Sequence, residues 1–269
     1  MVPSSSRTGE TGRLIPPDEG AHDGSQPSVE SPDGNMAVDQ LLLQSIEGAS
    51  PPVLRFYRWN EPTLSLGYFQ SLADRQLHSD SGPCAIVRRA TGGGAILHHH
   101  EITYSVAVAA KNLAGPALDL YRQIHQVWIE TLADFGVSAR VYRELPESCP
   151  AESAATPESF LCFQRRTDED LIISGYKILG SAQRKTRHGI LQHGSLLLKS
   201  SRFAPQLPGI RELTGADIHA AALSKRFARR LAAAWSLRWQ TEPLSVAERD
   251  DALAIAEQKF RADRWLRRR

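Results

Sequence analysis

The sequence predicts an α+β protein in which a largely antiparallel sheet is flanked by helices. Two observations carry this. Strand-like runs rich in β-branched and aromatic residues follow one another without regular βαβ alternation. Apolar residues at helical spacing are confined to separate stretches at 35–49, 118–135, 217–235 and 245–260. Hydrophobic residues make up 41% of the 269 and charged residues 23%, enough for a sizeable core in an ordinary globular chain.

Residues 1–12 are polar and rich in Ser and Gly, and are expected to be a disordered tail before one domain spanning 13–269. Residues 13–16 read as a short first strand, followed by a loop dense in Pro, Gly, Asp and Ser. In the helix at 35–49, Met36, Leu41, Leu42 and Ile46 share a face, and Gly48 is its expected stop. Strands are predicted at 51–60 and 63–69 around the turn-prone Asn60-Glu61-Pro62, and again at 84–90 and 101–109. Between the last two lies a glycine turn, Thr91-Gly92-Gly93-Gly94-Ala95. Tyr121, Ile124, Trp128, Leu132 and Phe135 mark the next helix, which Gly136 should end. A short strand at 138–144 and a low-complexity loop at 145–159 follow. Residues 169–185 read as a hairpin with Gly175-Tyr176 at its tip, and 190–198 as a strand. After the helix at 217–235 come a strand at 236–244 and a final helix opened by a Ser245–Glu248 capping box.

A net charge of +2 gives no electrostatic reason to expect nucleic acid or an anionic membrane as partner. The basic end, residues 264–269, reads as a solvated terminus. Cysteines at 84, 149 and 162 are too few and too irregular for a disulfide framework or a paired zinc site, which suits a reducing compartment. No run of about 18 apolar residues exists to span a membrane, and the N-terminus lacks the apolar core of a signal peptide, so a cytoplasmic protein is expected.

Three segments can carry chemistry. In Arg88–Val106, consecutive glycines either form a tight turn or let backbone N–H groups cradle an anion or carbonyl oxygen. Arg88 and Arg89 precede them on a strand, so one can face the glycine loop while the other faces solvent. His98, His99 and His100 are adjacent, cannot all reach one ion, and have no acid or cysteine cluster around them, so one pocket histidine is expected and no metal. In Glu158–Lys185, Cys162 is either a small buried hydrophobe or a nucleophile whose thiolate a nearby Lys177 would favour. In the third segment, His193 before Gly194 and Ser195 either lines a site or is structural.

Together, NMAVDQLLL, LRFYRWNEPTLSLGYFQ, RRATGGGAILHHHEITYSV, GYKILGSAQRK and ILQHGSLLL resemble the biotin/lipoate ligase-type catalytic domain of lipoate–protein ligases, octanoyltransferases and biotin ligases, over residues 35–265. Within it, Cys162-Phe163 followed by the Gly175–Gln183 hairpin is most similar to the cysteine-dependent octanoyl-acyl-carrier-protein:protein N-octanoyltransferases of lipoate biosynthesis. That group commonly has Asp where this chain has His99, and the chain leaves no room for the C-terminal accessory domain usual in ATP-dependent ligases.

The resemblance implies that Cys162 takes an octanoyl (or lipoyl) group from octanoyl-acyl carrier protein as a thioester, with Lys177 binding the acyl carbonyl oxygen. The group then passes to the lysine of a lipoyl domain of a 2-oxoacid dehydrogenase or of the glycine cleavage H protein. Substrate contacts are expected from Arg88, Arg89, Thr91, Gly92, Gly93, Gly94, Ala95, His98, Gly180, Ser181, Ala182, His193 and Gly194, with Ile96 lining the acyl slot and no cofactor. The rival is an ATP-dependent lipoate–protein ligase using ATP and Mg, in which Lys177 and the glycine loop hold an acyl-adenylate and Cys162 is incidental. A third reading is an inactive acyl- or lipoyl-domain-binding protein. The first 30 residues cannot hold the helix-turn-helix of a repressor.

Overall fold

The computed structural model describes residues 10–17, 29–113, 115–145 and 159–269. Residues 1–9, the body of the loop after Pro17, and most of the loop at 145–159 with Cys149 lie outside them. In chain order the strands and helices are β1 (Glu10–Ile15), α1 (Pro32–Gln44), β2 (Val53–Tyr57), β3 (Thr63–Leu66), β4 (Ala85–Arg88), β5 (Ile96–His98), β6 (Glu101–Ala109) and α2 (Ala117–Ala133). They continue with β7 (Arg140–Val141), β8 (Leu171–Ile173), β9 (Tyr176–Lys185), β10 (Gly189–Leu197), α3 (Ile210–Thr214), α4 (Ala220–Ala234), β11 (Leu237–Thr241), α5 (Val246–Ile255, extended by a π-turn to Phe260) and α6 (Asp263–Leu266).

The main sheet has the order β11-β1-β2-β6-β10-β9-β8-β7, parallel only where β1 meets β11 and β2. A second sheet, β4-β3-β5, lies beside it. Helices cover both faces of the main sheet, so all nine residues of β6 and all nine of β10 are buried. Alternation along β6 sends Ile102, Tyr104, Val106 and Val108 into one core with α2 and α4, where Trp128 stacks on Phe227 at 4.1 Å. Ala107 and Ala109 point the other way, into a core with α1 and α5. A third core under the small sheet holds Leu64, Leu66, Leu97, Leu161 and Phe163.

Several boundaries differ from the sequence reading. β1 starts at Glu10, inside the expected tail. α1 starts at Pro32, because the Ser31 hydroxyl accepts from the Gly34 N–H and caps it. The hairpin tip is Ser174-Gly175, one residue earlier, with φ of 48° and 80°, the two positive values of a type I′ turn. The strand at 138–144 shrinks to Arg140–Val141, since the chain turns into a 3-10 segment at Tyr142. The basic terminus is not a free end. The Leu266 carbonyl accepts from Arg88 Nε (3.1 Å) and Nη2 (2.6 Å), and Arg268 lies 3.9 Å from the Tyr68 ring. Guanidinium groups stack on aromatic faces, and Tyr68, Phe69 and Trp265 provide them.

One ion pair ties β1 to α5. Arg13 in β1 donates to both carboxylate oxygens of Glu248, at 2.5 and 2.8 Å, while Glu248 also accepts from Ser245 N–H to close the capping box. The bonds from Arg13 hold the Glu248 carboxyl down at about 2. We expect Glu248→Gln to cost about 1 kcal/mol, discounted for its partial exposure. Because the folded value is depressed, the wild-type advantage is complete above about 4.5, the ordinary carboxyl value, and disappears as the pH falls toward 2. Denaturant unfolding of both proteins across that range checks it.

Candidate active site

The glycine loop and the cysteine segment are joined by backbone. Ala95 N–H donates to Phe160 O (3.0 Å), and Cys162 N–H donates to Ala95 O (2.7 Å). Ala95 and Leu161 thus form a parallel bridge outside the named strands. Gly94 makes the approach possible: a Cβ there would stand 3.0 Å from both Cys162 Cα and its nitrogen. Gly93 has a φ of +94°, and its Cα side faces Arg89 and the Cys162 sulfur. Among the described residues, the loop's backbone hydrogen bonds use none of the N–H groups of Gly92, Gly93 and Gly94.

Cys162 is half-buried in a 3-10 turn. Lys177, two residues past the hairpin tip, points its Nζ to within 3.6 Å of Cys162 Sγ and 3.4 Å of Cys162 O. The sequence-predicted pair is therefore in contact. An ammonium so placed favours a sulfur that bears negative charge. Lys177 is also paired with Asp170 at 2.8 Å, and both side chains are buried. Burial alone would lower the lysine; the negative charge of Cys162 and the carboxylate of Asp170 together hold it above its ordinary value. Gly180 leaves the space for this side chain, because a Cβ there would lie 2.4 Å from Lys177 Cε.

The two arginines divide differently from the expectation. Arg89 serves the glycine loop, donating to Gly94 O (2.9 Å), Gly92 O (3.1 Å) and Ser65 O (2.6 Å). Burial brings its guanidinium down to about 10, still cationic at neutral pH. Arg88 does not face solvent: it is fully buried on the opposite side, held by the carbonyls of Gly67, Gln70 and Leu266, and does not line the pocket. Carbonyls left over by the β3 turn and α6 need donors, and Arg88 supplies them. His98 is the pocket histidine of the cluster. It stacks on Trp59 at 3.9 Å, bonds Ser65 Oγ at 2.8 Å, and has Glu101 3.4 Å from its Nδ1. Burial lowers it, so it is neutral. Glu101 thus brings a carboxylate to His98 although His99 carries none. His99 turns away to stack on His100.

His193 lines the pocket and is also anchored from behind. Its Nδ1–H donates to Asp39 Oδ2 (2.8 Å), and its Nε2 meets Thr91 Oγ1 (2.7 Å). Asp39, on α1, also accepts from Tyr57 O–H (3.0 Å) and Arg55 (3.3 Å). Burial alone would raise this carboxyl; the His193 hydrogen bond and the charges of His193 and Arg55 hold it below its ordinary range. Thr91 therefore acts on the pocket through His193 rather than by lining it.

Ser181 closes the wall. Burial takes His125 down to about 3, so the ring is neutral. Its Nδ1 must donate to Glu169 O (2.7 Å), which leaves Nε2 to accept from the Ser181 hydroxyl (2.7 Å). Ser181 Oγ in turn accepts from Tyr104 O–H (2.6 Å), which accepts from Gln192 (3.0 Å). The hydroxyl's proton thus points away from Cys162 into the core.

Cys162, Arg89, Gly92, Gly93 and His98 line one cavity with Gly180, Ser181, Ala182, His193 and Gly194. Ile96 lines it too, with Trp59, Tyr57 and Met36. Lys177 reaches Cys162 from beside it, while Gly94 and Ala95 support it from behind. Its free volume is about 40 Å³, well below the ~300 Å³ of preformed ligand pockets, so a chain of several carbons enters only as side chains move. Sequence reasoning missed Asp39, Asp170, His125 and Trp59. Asp170 had no periodic signal, because the bulge between Leu171 and Ile172 breaks the alternation at the start of β8. Asp39 had none beyond being an acid one turn after Asn35 on the buried face of α1.

The chain matches the family model of the lipoyl protein ligase A/B catalytic domain over residues 31–215. It is 34% identical to Octanoyltransferase LipM of Kyrpidia tusciae over 258 residues, covering 86% of this chain and 93% of that protein. Its fold is similar to a lipoate protein ligase of T. acidophilum (TM-score 0.73, 18% identity, 96% and 99% of the two chains). It is also similar to a bipartite archaeal lipoate protein ligase, from Thermoplasma acidophilum, studied with its E2 lipoyl domain (TM-score 0.69, 17% identity, 96% of each chain).

Gly180→Ala is expected to evict the Lys177 ammonium from Cys162 while leaving the fold intact. Alkylation of Cys162 by iodoacetamide at neutral pH should then slow by about tenfold, read by mass mapping of the Cys162 peptide against Cys84 as internal control.

Proposed function

The chain belongs to the lipoyl protein ligase A/B catalytic-domain family, and from that premise we propose that it is a protein octanoyltransferase. Octanoyl-acyl carrier protein is the donor, and a lysine on the lipoyl domain of a 2-oxoacid dehydrogenase or of the glycine cleavage H protein is the acceptor. The observation that carries the reading is the contact of Lys177 Nζ with the half-buried Cys162 sulfur at 3.6 Å, over the glycine loop.

The Cys162 thiolate attacks the donor's thioester carbon, the carbon–sulfur bond to the carrier breaks, and the carrier leaves as a thiolate that takes a proton from solvent. The acceptor's neutral amine then attacks the Cys162 thioester, the Cys162 thiolate leaves, and the amine nitrogen gives up a proton. In both steps negative charge grows on the carbonyl oxygen. The Lys177 ammonium and the N–H groups of Gly92, Gly93 and Gly94 are the donors available to it. Arg89 fixes the loop by holding its carbonyls, and His98 and His193 form the pocket wall around the reacting centre. The octanoyl chain runs along Ile96, Trp59 and Met36. The reaction conserves the thioester's energy until the amide forms, so it consumes no ATP.

Incubation with octanoyl-acyl carrier protein should add the mass of one octanoyl group that hydroxylamine removes, and Cys162→Ala should abolish it. A lipoyl domain should then gain a hydroxylamine-stable octanoyl group without ATP. Modification only with lipoate and ATP, by a fully active Cys162→Ser protein, would overturn the proposal in favour of ligase chemistry.

A further inference from the structure

The Lys177 amine stands 3.6 Å from the sulfur that would carry the acyl group. An unprotonated amine at that distance is a better nucleophile toward a thioester than water. Attack would form an amide on Lys177 and break the carbon–sulfur bond, and the proton lost by the amine would go to the departing Cys162 sulfur, which leaves as a thiol. The product cannot be reversed by any step of the reaction, so the first turnover would be the last. What prevents it is the proton on Lys177, since an ammonium has no lone pair.

That proton has two supports in the free protein, the Cys162 sulfur whenever it is ionised and the carboxylate of Asp170. Acylation turns Cys162 into a neutral thioester and removes the first. Burial of the lysine still works against its charge. Among the described residues, the other groups that reach it offer no anion. His125 is neutral, the Phe163 ring lies 5.6 Å from Nζ, and Arg166 and Tyr121 couple to Asp170 rather than replace it. Asp170 lies 2.8 Å from Nζ, is fixed by the Thr167 N–H at 2.7 Å, and is buried with the lysine. We propose that Asp170 is a positioning residue that keeps Lys177 protonated in the acyl-enzyme, and so prevents transfer of the acyl group from Cys162 to the enzyme's own lysine.

The inference rests on the Cys162 thioester of the transferase reading, and its test separates the two. Cys162 is loaded both by octanoyl-acyl carrier protein and by a small octanoyl thioester through thiol exchange, which needs no transferase activity. Acylated wild type should carry only hydroxylamine-labile label at neutral pH. Asp170→Asn should accumulate hydroxylamine-stable octanoyl on Lys177, at least about tenfold above wild type, and more as pH rises. Asp170→Asn combined with Lys177→Arg should remove it, because arginine remains charged. A merely structural role of Asp170 would change stability or loading but place no amide on Lys177. The proposal is overturned if folded, loaded Asp170→Asn stays fully hydroxylamine-labile at every pH. Should that variant not fold, the wild type decides: amide on Lys177 at neutral pH overturns the proposal, and amide that emerges only at strongly alkaline pH supports it. Label from the small thioester alone overturns the transferase reading and leaves this one measurable. Label from neither donor overturns both.

Discussion

Two backbone hydrogen bonds from one residue organise the site. Ala95 gives its N–H to Phe160 and its carbonyl to Cys162, and through them a glycine turn at the end of one sheet and a cysteine more than sixty residues later become one structure. Neither segment has a strand long enough to hold itself there. The turn is braced from its own side by Arg89, and the cysteine segment by Phe160, Leu161 and Phe163 in the small core. The distance from Lys177 to Cys162 follows from this junction, because the lysine belongs to the main sheet and the cysteine to a 3-10 turn tied to the glycine loop.

The site also explains why one face of the main sheet is so polar under a helix. Arg55, Thr103, Ser105, His193 and Ser195 sit buried where apolar side chains would pack more cheaply. Two of the buried acids stand against a cation, Asp39 against Arg55 and Asp170 against Lys177, and His193 also bonds Asp39. Unpaired, such groups would each cost several kcal/mol on leaving water. Their stability comes from the opposite face, where Trp128, Phe227, Tyr104 and Phe56 form an aromatic core free of charge. The fold places rigidity on one side of the sheet and chemistry on the other.

The α+β class, the strands of the centre and the long helices were legible because they rest on periodicity, which is local. The lysine–cysteine contact was legible from the hairpin and the family resemblance together. The carboxylates were not. Asp168, Glu169 and Asp170 are consecutive at the head of the expected hairpin, yet Glu169 pairs with Arg122 and Arg143 while Asp170 turns inward to Lys177. Which acid of three turns inward depends on the bulge between Leu171 and Ile172, and a bulge leaves no composition mark. The role of Arg88 was misread for a related reason: strand alternation separates two neighbours, but cannot say that the far side is covered by the folded-back terminus.

The cavity of about 40 Å³ beside Cys162 has a practical meaning for anyone seeking an inhibitor. Taken as a rigid mould, the protein would reject the very chain it is suited to hold, and a virtual screen against it would reward compounds that sit at the rim. Met36 is unbranched, whereas Trp59 stacks on His98 and donates its Nε1–H to Thr103 Oγ1 at 3.0 Å. A receptor with Met36 free to rotate against a fixed Trp59 is the shape against which selectivity for chain length has to be read.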